Sequence, residues 1–577
     1  TRLPVQVEVS GTTGDTKPPP NLILLLTDQQ RFPMHWPDDP AWLEKLTPGD
    51  AEIARTGVSF SEACVATCMC SPSRASLFTS RWPAEHGVEL TLTRGGFTPN
   101  LKNAGATFKE VFASARRGEQ TFRKGLSMML KGAARKRDGG KGERDLDPGM
   151  PNMARVLERA GYTTYLKGKW HLSQPVSGGE WSDADRDHLA EAYGFHDWQP
   201  PDAGENIEPS QFGGGTASGA TGLGYDEDFA RSVEAFLADP PPEPWALVVS
   251  LVNPHDVLGY PDTWEQGGYQ REDWQDLDDI ELPPSFDENV SSKPSVHAFM
   301  KMGQNSFLGA FDSDEEKLDY CRFYAHLHRL SDEKIRRVLD SLGDPDDPES
   351  MRSKTVIVRT SDHGELGMSH GGLRQKAFNA YEETLNVPFI VSNPVLFPEG
   401  GTSEAHVSLV DIMPTMASLA GVSTAEDGVR GHDLTPVLAR HQSADPKALA
   451  KSPVDFSAVA SNGKPVDSVQ DFTHFTYDDH QSGSAFTNVA PPPNRIRALR
   501  SKESTYAIYL DAENVEHPEY ELYDNLRDPD QVDNLVDRDT GRVKDPRDQE
   551  LRDRMHAALL EKMAETGTDR TVPKIPA

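Results

Sequence analysis

Five strand-length segments are largely apolar and end abruptly in polar groups. They cover 21–27, followed by Asp28 and Gln29; 162–166, followed by Lys167-Gly168-Lys169-Trp170-His171; and 245–252, followed by Asn253-Pro254-His255. The other two are 355–360, followed by Ser361-Asp362-His363-Gly364, and 387–391, followed by Ser392-Asn393-Pro394. Runs of this kind predict strands buried on both faces, the pattern of parallel sheets. Between them, 153–160, 225–238, 317–342 and 409–420 place apolar residues at helical spacing. Strands alternating with amphipathic helices predict an α/β fold, a large and mostly parallel sheet flanked by helices. Such sheets bind ligands beyond the carboxyl ends of their strands. Four of the five segments deliver His, Lys, Asp or Gln there.

The rhythm changes after residue 440. Residues 441–495 are loop-rich and end near Ala490-Pro491-Pro492-Pro493. Alternating segments at 495–500, 506–510 and 520–523 then predict a small antiparallel sheet, and 548–565 a closing helix. The chain therefore divides into a large domain, 1–440, and a C-terminal subdomain, 441–577. Within the first, 101–150 lacks strand patterning and holds twelve Lys/Arg against six Asp/Glu. It reads as a basic insertion, a helical excursion or flap. A solvated or oligomer-contacting surface is its ordinary fate; gathering an anionic substrate is the functional alternative.

Composition narrows the classes. The 577 residues carry a net charge of −32, and since 101–150 is +6, the remainder is −38. Strong acidity argues against general nucleic-acid binding and against anionic membrane surfaces. No apolar run reaches the roughly 18 residues of a membrane span. Residues 1–20 lack the basic start and apolar core of a signal peptide, so a cytoplasmic location is expected, with the periplasm or secretion left open. Four cysteines are too few for a disulfide framework.

Three of those four, Cys64, Cys68 and Cys70, fall within seven residues. A thiolate metal site lacks the usual C-x2-C pair, and Cys321 is the one other cysteine. Cys64 and Cys68 suit a role as small hydrophobes. Cys70 differs because Ser71-Pro72-Ser73-Arg74 follows it. Proline near a helix start puts Cys70 at a helix N-terminus, where free amides and the dipole favour an anion and Arg74 adds fixed charge.

Cys70-Ser71-Pro72-Ser73-Arg74, with Thr79-Ser80-Arg81 behind it, resembles the signature of the formylglycine-dependent (type I) sulfatases of the alkaline phosphatase superfamily, in particular bacterial arylsulfatases. Phe78 and Ser80 depart from the usual leucine and glycine. Further matches follow in chain order: Asp28-Gln29, Gly168-Lys169-Trp170-His171, Asn253-Pro254-His255, 361–365, Ser369-His370-Gly371-Gly372, Lys376 with Tyr381-Glu382, 407–421 and 521–524. Taken singly, Asp28 reads as a cap, His171 and His255 as structural histidines, and Arg74, Lys169 and Lys376 as ion-pair members. Their conjunction at strand ends favours the functional reading.

The resemblance implies that Cys70 is oxidised by a formylglycine-generating enzyme and that its hydrate is the nucleophile. It implies a divalent metal held by Asp28, Gln29, residue 70, Asp362 and His363. Mostly oxygen ligands point to Ca2+, and the imidazole makes Mn2+ or Zn2+ competitive. Arg74, Lys169 and Lys376 would meet the charge on the sulfate, His255 with Lys376 would protonate the leaving oxygen, and His171 would take a proton as sulfate is released. The expected substrate is a small aryl or alkyl sulfate ester, and the expected assembly a homodimer, without nucleic acid or membrane.

Asp-Gln with Asp-His also resembles phosphonate monoester and phosphodiester hydrolases, the nearest rival; Lys169-Trp170-His171 favours the sulfatase, since those relatives usually carry uncharged hydroxyl residues there. An unmodified Cys70 thiolate hydrolase and a non-catalytic sulfate-ester-binding protein are the remaining readings. Specificity is expected in 173–224, 258–305 and the basic insertion, with Trp170, Trp181, Trp198, Tyr260 and Trp264 as pocket walls or as packing.

Overall fold

The computed structural model describes residues 19–93, 142–454, 456, 465–482, 490–573 and 575. The stretch 101–141 of the basic insertion lies outside the described residues. Eight strands form the main sheet: β1 (Asn21–Asp28), β2 (Gly57–Cys64), β3 (Thr163–Gly168), β4 (Phe195–His196), β5 (Trp245–Pro254), β6 (Thr355–Ser361), β7 (Phe389–Ser392) and β8 (Gly401–Ser408). Their order is β4-β3-β5-β1-β6-β7-β2-β8. Strands β3, β5, β1 and β6 are contiguous and mutually parallel, so their carboxyl ends share one edge.

Both faces of β1 are buried, as continuous apolar runs require. Leu22, Leu24 and Leu26 enter one core layer with the helices Met153–Glu158, Cys70–Thr79 and Ile412–Leu419. Ile23 and Leu25 enter the opposite layer, where Phe229, Val233 and Leu237 of the helix Tyr225–Ala238 meet Ile335, Val338 and Leu339 of Asp314–Leu342.

Three expectations need correction. Strand β7 is antiparallel to both neighbours. The chain between β6 and β7 contains only two four-residue helices and no long crossover helix, so β7 begins at the edge where β6 ended. Strands β2 and β8 escaped the apolar criterion because Ser59, Ser61 and Glu404 interrupt them. The C-terminal sheet has four strands, β12-β11-β10-β9, comprising β9 (Thr473–Tyr477), β10 (Arg495–Arg500), β11 (Ser504–Leu510) and β12 (Glu519–Asp524). Strand β9 lies in the stretch read as loop; its Thr-His-Phe-Thr-Tyr sequence has only two large apolar positions.

The two sheets are joined by shared core and by charge. Phe475, Tyr477, Ile496 and Ala498 belong to the same apolar cluster as β1. Arg500 pairs with Glu62 of β2 and, at 2.9 and 2.7 Å, with both oxygens of Glu382. Removing one member of a buried ionic group strands the others without a counter-charge. Arg500→Ala should therefore lower stability by about 3–5 kcal/mol, read from the guanidinium unfolding midpoint; an unchanged midpoint would show that the bridge does not hold the sheets together.

Candidate active site

Strands β1 and β6 pair in register, Thr27 opposite Ser361, so Asp28 and Asp362 leave the sheet side by side. Both have zero solvent exposure. Two buried carboxylates repel and are poorly solvated, and fixed cations answer this. Arg74 donates from Nε to Asp362 Oδ2 at 2.9 Å and from Nη2 to Asp28 Oδ2 at 3.1 Å. Its Nη1 reaches Ser250 Oγ at 2.8 Å and the Lys169 carbonyl at 3.1 Å. Lys169 Nζ stands 2.7 Å from Asp28 Oδ2. The Arg74 guanidinium thus meets the carboxylates themselves, and its charge acts through them.

The cations divide the pair unequally. Burial raises Asp28, but Lys169, His255, Arg74 and His363 more than offset this and hold its carboxyl well below the usual range. Burial and then the neighbouring Asp28 push Asp362 up to about 7.

Cys70 opens the ten-residue helix Cys70–Thr79, preceded by Met69 at φ 69°. Its Sγ lies 3.6 Å from Asp28 Oδ1 and 3.2 Å from His363 Nε2. His363 Nε2 is 3.7 Å from Asp28 Oδ1 and 3.6 Å from Asp362 Oδ1. Ligand atoms of these four residues lie within 4.8 Å of one another. Burial and Lys376 hold the His363 imidazole well below its ordinary pKa, so it is neutral. With Nδ1 3.2 Å from the Gly364 carbonyl, the tautomer leaves a lone pair on Nε2. An imidazole lone pair and two carboxylates then converge, a donor set that a divalent cation fits. Gln29 stands beside it: its Oε1 accepts from Lys376 Nζ at 2.5 Å and its Nε2 donates to Glu365 Oε2 at 2.5 Å.

A cleft opens over this centre, lined by Cys70, His171, His255 and Lys376. Of the predicted groups, the four donors converge, those four residues line the cleft, Arg74 and Lys169 lie on the carboxylates, and Gln29 bridges Lys376 to Glu365. The loops expected to set specificity contribute Ile207, Leu258, Met300 and Gln304. The aromatic residues do not line it. Trp170 and Trp198 are core residues, Tyr260 and Trp264 pack around Phe323, and Trp181 lies against Trp198; packing is their role. Motif reading left Glu365 unassigned, although it lies inside 361–365. It also missed Asp202, which accepts from the amides of Trp170 and His171 at 2.9 and 2.6 Å. Thr91, Thr93 and Ser482 complete the wall without any motif signal.

Burial and Asp28 push the Cys70 thiol up to about 11. The charged form is the disfavoured one, so at pH 8 only about one unmodified Cys70 in a thousand is thiolate. This disfavours a thiolate hydrolase. Alkylation of unconverted folded chain by iodoacetamide should be slow at pH 8 and rise about tenfold per pH unit toward 11; rapid labelling at pH 7 contradicts this environment.

Comparison with known proteins gives a consistent picture. A profile described as Sulfatase matches residues 89–422, more than half of the chain. The chain is 24% identical over 569 residues to an ulvan-active sulfatase of Formosa agariphila, covering 95% of this chain and 82% of that one. It is 29% identical over 295 residues to a choline-sulfatase of Rhizobium meliloti, covering 48% and 54%. Among solved structures, a 2-O GAG sulfatase superposes with TM-score 0.61 at 20% identity, covering 97% and 95%. A phosphonate monoester hydrolase from Silicibacter pomeroyi gives 0.60 at 18%, covering 95% and 96%; these likenesses establish the shared fold.

Proposed function

The chain belongs to the sulfatase family of sulfuric ester hydrolases, and from that premise we propose that it cleaves sulfate monoesters of small aryl or alkyl alcohols, using residue 70 as formylglycine beside a divalent cation. The observation that carries this is the convergence of Asp28, Cys70, Asp362 and His363 at the base of one cleft. These residues, with the Gln29 carboxamide oxygen, would hold the cation. Bound there, it supplies Lewis-acid stabilisation of a sulfate oxygen and acidifies the nucleophile's hydroxyl. Carboxylate and amide oxygens favour Ca2+, and His363 brings Mn2+ and Zn2+ closer. Formylglycine supplies a hydrated aldehyde as nucleophile. The buried Cys70 needs a maturing enzyme that acts before the chain folds.

The remaining work falls to this chain's own side chains. Lys169 and Lys376 bring positive charge to a site whose surroundings are acidic overall. Burial and Lys169 hold His255 well below its ordinary pKa; an arriving sulfate anion counters Lys169 and favours the protonated ring. His255 then has a proton for the departing alcohol oxygen, with Lys376 in the same cleft. Burial and Lys169 likewise keep His171 neutral, which suits a base. Ile207, Leu258 and Met300 offer an apolar wall for the alcohol.

Conversion of Cys70 to the aldehyde lowers the mass by about 18 Da and its hydration regains that mass, so the readout is capture of the aldehyde by a hydrazide probe; full activity with no captured aldehyde would overturn the nucleophile assignment. Chelation should abolish turnover, and Ca2+ should restore it better than Zn2+; undiminished turnover in chelator removes the metal from the proposal. Against the phosphonate reading, kcat/KM for p-nitrophenyl sulfate should exceed that for phenyl p-nitrophenyl phosphonate. The reverse order transfers the chain to the rival activity.

A further inference from the structure

The cleft wall contains a short rung, Thr91-Leu92-Thr93, whose three amides are each held by a different part of the chain. Thr91 donates from N and Oγ1 to Asp479 Oδ2, at 2.9 and 2.8 Å. Leu92 N donates to the hydroxyl of Ser71, the residue after Cys70, at 3.0 Å. Thr93 donates from N and Oγ1 to Glu143, at 3.0 and 2.6 Å. The carbonyl of Leu92, fixed in this way, accepts from His171 Nε2 at 2.5 Å.

An imidazole that donates from Nε2 keeps its lone pair on Nδ1. His171 Nδ1 is buried and has no hydrogen-bond partner among the described residues, and the residue lines the cleft beside Cys70. Asp202 fixes the backbone of His171, where φ is 59°. The backbone is therefore set from one side and the ring from the other. Asp479 is 1% exposed and follows β9. Its second oxygen accepts from the amides of Gln481 and Ser482 at 3.0 and 2.8 Å. One carboxylate thus holds both Thr91 and the loop that brings Ser482 to the cleft.

We propose that Asp479, from the C-terminal subdomain, is a positioning residue for the reaction: by clamping Thr91 it holds the Leu92 carbonyl that fixes His171 with Nδ1 as the acceptor. The step that His171 serves rests on the sulfatase reading; the clamp itself rests on the geometry. The C-terminal subdomain then governs a proton acceptor that it does not touch.

The test uses the mature, metal-loaded enzyme with 15N-labelled histidine rings, the His171 signals being assigned from a His171→Gln variant. Asp479→Asn keeps the shape but replaces a carboxylate oxygen with an amide nitrogen, so one of its two clamps is lost. Thr91→Val removes the hydroxyl alone and keeps the amide, giving a milder variant should Asp479→Asn fold poorly. The wild type should show a single Nε2–H tautomer at His171. Asp479→Asn should mix the two tautomers and lower kcat for p-nitrophenyl sulfate roughly tenfold, the scale of a modest misplacement of a reacting group, while Thr91→Val should give a smaller change of the same kind. Asp511→Asn is the control. It loses a comparable clamp on the amides of Glu513, Val515 and Glu516, in the same subdomain but away from the cleft lining, and should change neither readout. An unmoved His171 signature in both cleft variants overturns the inference whatever the rate does, and so does a moved signature with unchanged kcat. If the mature wild type turns over no sulfate ester, the sulfatase reading fails, while the ring signature still decides the clamp.

Discussion

The organisation of the site follows from two carboxylates placed side by side with no solvent. Strand pairing puts Asp28 and Asp362 together, and removing such groups from water costs several kcal/mol each unless charge compensates. Arg74 and Lys169 compensate. That requirement fixes the helix Cys70–Thr79, because Arg74 reaches both carboxylates only from a helix that begins against the carboxyl edge of β1 and β6. Residue 70, one turn earlier, is carried to the same point. The position of residue 70 and carboxylate neutralisation are thus one packing solution, and a bound cation would complete the charge balance that Arg74 and Lys169 begin.

The bulk charge of −32 coexists with this centre because the two occupy different places. Exposed Asp and Glu face water and are screened within about 10 Å at ordinary ionic strength. Arg74, Lys169 and Lys376 are 0–1% exposed, where screening by salt is weak. Net acidity describes how the surface is solvated. An anionic ester entering the cleft meets a different field.

Legibility in the sequence followed the kind of work each residue does. Asp28, Lys169, His171, His255, Asp362 and His363 follow apolar runs, and the run ends mark where the sheet meets its ligands. The direction of β7 was not legible, since burial patterns report depth and not polarity. Strands β2, β8 and β9 carry polar residues at their edges and interior and gave no continuous run. Asp202, Glu365 and Asp479 act by accepting from backbone or amide groups, as Asp and Glu do in countless turns. Only the fold distinguishes a carboxylate that holds a rung of the cleft wall from one that caps a loop. For the same reason the boundary drawn at residue 440 hid Ser482, which lines the cleft, and Asp479, which holds Thr91 of its wall; β9 brings both there by lying against the segment leading to Cys70.

Among the non-glycine residues with positive φ at the site are Gln29 at 70°, Met69 at 69° and His171 at 59°. Each such residue costs on the order of 1–3 kcal/mol unless its surroundings over-determine it. Here they do. Gln29 N donates to Asp362 Oδ1 at 3.1 Å while its carbonyl accepts from Tyr324 Oη at 2.6 Å. Met69 O accepts from Ser73 N at 3.0 Å, and Asp202 takes His171 N. Each bend lies where the chain leaves a strand or enters the helix, and each turns one side chain toward a centre its neighbours also face. Relaxing any of them would return the chain to an ordinary strand exit and disperse the donors. The strain is therefore the cost of convergence, met in advance by folding, so that little reorganisation remains for the reaction itself.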